Sequence, residues 1–181
     1  MYIAEQLKKK NIAEYLLYMW QVEDMLRAYG LDDERMAKEY IPQFGLDAEK
    51  SEALKGWYES LIQMMREEGV TEKGHLQVNK NIIILLTDLH AQLLKSSKHP
   101  FYSATYYKAL PFIVELRAKS TESQEKNEIE NCLDALYGVM LLRMQKKEIS
   151  PETATAIDNI AKFIGMLSDY YQKEKAGEVE M

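Results

Sequence analysis

An all-α fold is predicted by three features of the chain read together. Apolar residues recur at helical period through most of its length, turn residues interrupt it at few places, and no segment alternates as a half-buried strand does. The interruptions fall at Gly30 to Asp33, Gly45 to Asp47, Gly69 to Thr71, Ser96 to Pro100, around Ser120 and at Ile149 to Pro151. Between them stand roughly six long helices and one short one, mostly antiparallel neighbours because the connections are short. With 4 prolines and 8 glycines in 181 residues, little else breaks the helices.

The first helix is predicted from Ile3 to Tyr29, closed by Gly30 as a left-handed cap. Leu7, Ile12, Tyr15, Met19, Val22 and Leu26 follow the spacing of a buried face, while Leu17, Tyr18 and Trp20 point elsewhere. A helix apolar on two sides meets two surfaces, so Leu17, Tyr18 and Trp20 are the candidate interface of a homodimer. Asp32 or Asp33 caps a short helix running to Phe44, and Asp47 caps the next, which ends at Gly69.

The segment from Thr71 to Leu94 reads as the central helix, because between Asn81 and Leu94 it is apolar on every side. Pro100 opens a helix to about Lys119, which Pro111 is expected to kink or split beside Tyr107. Another helix spans about Glu122 to Lys147. The last opens at Ser150 and Pro151, and its stripe of Ile157, Ile160, Ala161, Ile164, Leu167 and Tyr171 is buried. One domain over residues 1–174 and a fraying tail over 175–181 follow.

Composition narrows the functional classes. A net charge of -6, from 23 basic and 29 acidic residues, offers no basic field for phosphates, so no nucleic-acid partner is expected. No apolar run approaches the roughly 18 residues needed to cross a bilayer, and Met1 to Lys10 lacks the plan of a signal peptide. A cytoplasmic protein is expected, and the single Cys132, on an apolar helix side, reads as a core residue.

No complete catalytic set, phosphate loop or nucleophile elbow is present. Di-metal bundles use two Glu-x-x-His pairs; one pair occurs here, Glu72 with His75, and no metal or other cofactor is expected. The polar residues that stand out lie on or beside apolar faces: Glu23, Asp88, His90, Tyr106 and Arg143. Brought together between the first, central and two following helices, they would line a polar pocket with His90 as proton carrier. Glu23 in particular requires a partner, which the sequence offers as Arg27, Arg117 or Arg143.

The stretch from Asn11 to Tyr29, the apolar run after Asn81 and the overall length resemble an uncharacterised bacterial family of about 180 residues, classed as a domain of unknown function. The resemblance implies an all-helical cytoplasmic protein and no assigned activity, cofactor or site. The reading the residues favour is a non-catalytic helical protein acting through protein contacts as a homodimer. The alternative is a small-molecule binder or enzyme built around the polar pocket.

Overall fold

The computed structural model describes residues 1–181, and every regular element in it is helical. In chain order these are α1 (Tyr2–Lys10), α2 (Ile12–Ala28), α3 (Asp33–Arg35), α4 (Ala48–Glu67), α5 (Gln77–Lys95), α6 (Pro100–Ala118), α7 (Thr121–Glu125), α8 (Glu128–Met144) and α9 (Pro151–Lys175). The all-α class is therefore observed. After α3 the chain widens into a π turn over Met36–Tyr40, then tightens into a 3-10 turn over Ile41–Phe44.

The expected caps act through their side chains. Asp32 accepts from the Glu34 and Arg35 amides, Asp47 from the Lys50 amide and Ser150 from the Thr153 amide. Each satisfies amide hydrogens that the first turn of a helix leaves free.

Several boundaries differ from expectation. The predicted first helix is two helices, broken at Asn11, which takes an extended conformation with φ -154°. Its Oδ1 accepts from the Glu14 amide and from the Ser168 hydroxyl, while Ser168 Oγ accepts from the Ala13 amide. Asn11 thus starts α2 and fixes it to α9. The predicted helix after Ser120 is likewise divided, because Asn127 caps α8 through the Glu130 amide. The Asn131 amide group then donates to the carbonyls of Ser123 and Lys126 at the break.

The helix expected from Thr71 begins at Gln77, since Gly74 has φ +93° and turns the chain before it. Pro111 does not split α6: the helix runs unbroken from Pro100 to Ala118. The tail beyond Lys175 folds back, with the Glu180 carbonyl 2.8 Å from Nε2 of His99.

The core draws on α2, α4, α5, α6, α8 and α9, with Trp20, Tyr102 and Phe163 among its largest fully buried side chains. The helix α9 packs against α2, α5, α6 and α8. By contrast α5, expected to be buried all round, presents Ile84 (53% exposed) and Leu85 to solvent. Its inward face is Ile82, Ile83, Leu86, Leu89, His90 and Leu93.

Candidate functional site

Glu23 sits inside α2 and is 1% exposed, as its place in the apolar stripe requires. Its Oε2 lies 3.0 Å from Nδ1 of His75 and 3.8 Å from the Arg27 guanidinium. Both partners are held in turn. Trp20 stacks on the His75 ring at 4.1 Å between centroids, with the planes 10° apart. Arg27 donates to the carbonyls of Val70 and Gly74 and pairs with Asp24 at 2.9 Å. Tyr137, reaching from α8, donates to Asp24 and meets Trp20 edge-on.

This cluster latches the turn between α4 and α5 onto α2. The Glu23 carboxylate beside Nδ1 and the Trp20 ring against its face together fix the orientation of the imidazole. Trp20 Nε1, Glu23 Oε1 and Arg27 Nε are buried without a hydrogen-bonding partner in the chain. The tyrosine hydroxyl of Tyr137 has its pKa raised by burial, and the Asp24 carboxylate adds to the rise.

A second cluster surrounds His90. The rings of Tyr102, Tyr106 and Phe163 meet its imidazole edge-on, at 4.6 Å between centroids for Tyr106. His90 Nδ1 and the Tyr102 hydroxyl are hydrogen bonded at 2.6 Å, and Nε2 stands 3.8 Å from Glu128. The Tyr106 hydroxyl donates to the same Glu128 oxygen at 2.8 Å. Burial lowers the His90 pKa, opposed by the neighbouring carboxylate, so the imidazole is held neutral. Cys132 lies buried in the core nearby, and burial raises its thiol pKa.

The five candidate pocket residues do not converge. His90 and Tyr106 come together, but Glu23 belongs to the cluster on α2. Asp88 is exposed in a cleft beside Gln92 and Glu174, and Arg143 is exposed on α8. None of the five main surface clefts is lined by Glu23, His75, His90 or Tyr106. Each cluster is tied together by hydrogen bonds and ring contacts within the chain. The candidate interface also moves: Leu17 and Trp20 are buried inside the chain, and Tyr18 packs partly buried against the core.

His75 carries no sequence signal as the partner of Glu23, because its approach is set by the turn between α4 and α5, where Gly74 has φ +93°. The outer face of α6 is a second feature without a sequence signal. There Pro100, Ala104, Tyr107, Pro111, Val114 and Ala118 follow one another at steps of four and three residues, and all are exposed. Tyr107 is 60% exposed and Val114 57%, and Phe101 at the head of the helix is 81% exposed. The opposite face, Tyr102, Tyr106, Ala109 and Ile113, is in the core. Because α6 is apolar on both faces, its periodicity gave no contrast by which to mark the outer one.

Fold and surfaces together define an all-α bundle with two buried polar networks and an apolar helix face turned to solvent. The chain belongs to the family described as a domain of unknown function (DUF4924), whose model matches residues 1–178. No curated protein and no solved structure matches it.

Proposed function

We propose that this protein is a non-catalytic cytoplasmic component that acts through protein contacts, and that the outer face of α6 is the contacting surface. The observation that carries this reading is the position of Ala104, Tyr107, Pro111, Val114 and Ala118 opposite the core face of the same helix. Helices apolar on all sides are ordinarily covered on all sides, and a row of apolar side chains at four-three spacing is the pattern of a helix seam. Excess acidic charge argues against nucleic acid as the covering surface, and no helix is long and apolar enough to cross a membrane.

Site-specific photocrosslinking in living cells tests this reading. A photoreactive phenylalanine at position 107 is expected to give a discrete protein adduct, identified by mass spectrometry, that the same group at exposed Lys162 does not give. Only uncrosslinked chain from position 107 would overturn the reading.

A further inference from the structure

We infer that the surface covering the outer face of α6 is the same face of a second copy of this chain, with the two helices antiparallel about a two-fold axis near Pro111. The inference rests on the reading of α6 as a contact surface and adds the partner and its orientation. Charge complementarity on α6 supports both.

Lys108 and Glu115 flank the apolar row on one side, two turns apart and both exposed, and neither takes part in an ion pair within the chain. The other flank carries Ser103, Leu110 and Arg117, and the Arg117 guanidinium already donates to the Gln124 carbonyl. A two-fold axis perpendicular to the helices sets like flanks side by side in opposite directions. Lys108 of each copy then meets Glu115 of the other, so one self-complementary patch makes two opposite-charge pairs. A parallel pairing would instead set Lys108 against Ser103 and Glu115 against Leu110, leaving both charges without a partner.

The apolar row fits the same register. Where Lys108 lies beside the second copy's Glu115, Tyr107 faces Ala118 and Pro111 faces Val114, so a large ring covers a small side chain at each end of the seam. Small residues at Ala104, Pro111 and Ala118 let the helices approach, and antiparallel packing aligns their dipoles favourably. With 19 residues, α6 is about 28 Å long. One helix per copy is a small interface, so the expected assembly is a dimer that dissociates on dilution.

Sedimentation velocity from micromolar to sub-millimolar concentration tests the inference, with circular dichroism to verify folding of each variant. The wild-type chain is expected to dimerise. Lys108→Glu and Glu115→Lys each convert two attractions into two repulsions and should raise the dimer Kd about tenfold. An equimolar mixture of those two variants restores both pairs, and a heterodimer about as tight as the wild-type dimer is expected from it. Tyr107→Asp, at an exposed site where the monomer tolerates charge, should abolish the dimer.

A wild-type chain that stays monomeric at the highest concentration overturns the inference, as does a mixture no tighter than its separate components. A monomeric chain that still gives a discrete adduct with another protein from position 107 leaves the contact reading standing and removes only the second copy. Absence of any adduct removes both.

Discussion

His75 Nδ1 lies 3.0 Å from Oε2 of Glu23, a residue 52 positions earlier in the chain, and Trp20 covers the imidazole face. The pair joins the middle of α2 to the turn ahead of α5 and gives a buried carboxylate a hydrogen-bonded neighbour. Without one, a charge so placed would carry a desolvation cost of several kcal/mol, on the order of that for any buried ion.

Glu23→Ala is expected to destabilise the protein by about 3 kcal/mol, since it strands the His75 and Arg27 groups and leaves a void beside Trp20. Glu23→Gln retains an acceptor and nearly the same shape, so its loss should be less than half as large. Urea denaturation of both variants measures this. A loss from the alanine variant of only about 0.5 kcal/mol would mean that the pair acts as a solvated surface contact.

The requirement for a Glu23 partner was legible from the phase of the helical stripe, and Arg27 was legible from its place one turn further on. His75 was not. Its approach depends on the course of the chain between α4 and α5, where Gly74 adopts φ +93° and Arg27 holds the carbonyls of Val70 and Gly74. Periodicity carries no information about such a turn. The same limit explains Asn11 and Asn127, where one polar side chain ended a helix within an otherwise continuous pattern by satisfying the amides of the next. The fold class survived these misplaced boundaries because the apolar faces on either side of each break still point inward. Of the candidate pocket residues only His90 and Tyr106 come together, because membership of an apolar segment says nothing about which faces of different helices meet.

Acid should weaken the fold through His90. Burial among Tyr102, Tyr106 and Phe163 lowers its folded pKa below the unfolded value of about 6.5, so the unfolded chain binds the extra proton first. The stabilising contribution is complete above that unfolded value and is lost as pH falls from it toward the depressed folded pKa. Thermal midpoints recorded across this window should fall more steeply for the wild type than for His90→Asn, which cannot titrate there. Parallel slopes would show that His90 is not held neutral by the fold.

Two glycines should respond to alanine with opposite signs. At Gly74 the added Cβ would stand 3.2 Å from Cγ1 of Val70 on a backbone with φ +93°, so Gly74→Ala should cost about 1 to 3 kcal/mol. Gly138 lies in the middle of α8, exposed, with nothing within 4 Å of its would-be Cβ. Gly138→Ala should therefore stabilise by about 0.5 to 1 kcal/mol through reduced freedom of the unfolded chain. Equilibrium unfolding of the two single variants compares them directly, and a shift of the same sign in both would remove the backbone argument.

Pro111 lies on the outer face of an uninterrupted helix, where it has no amide hydrogen to give the Tyr107 carbonyl one turn earlier. Its ring also crowds that carbonyl, a conflict that in other helices appears as a kink. The burial of Tyr106, Ala109 and Ile113 on the core face holds α6 together across this position. Pro111→Ala should therefore restore a backbone hydrogen bond without disturbing the core, raising monomer stability by about 1 to 3 kcal/mol. Because alanine fits the same place in the apolar row, self-association should change little. Denaturation monitored under dilute, monomeric conditions separates the two effects. A Pro111→Ala variant no more stable than the wild type would mean that the helix had already relieved the conflict by local distortion.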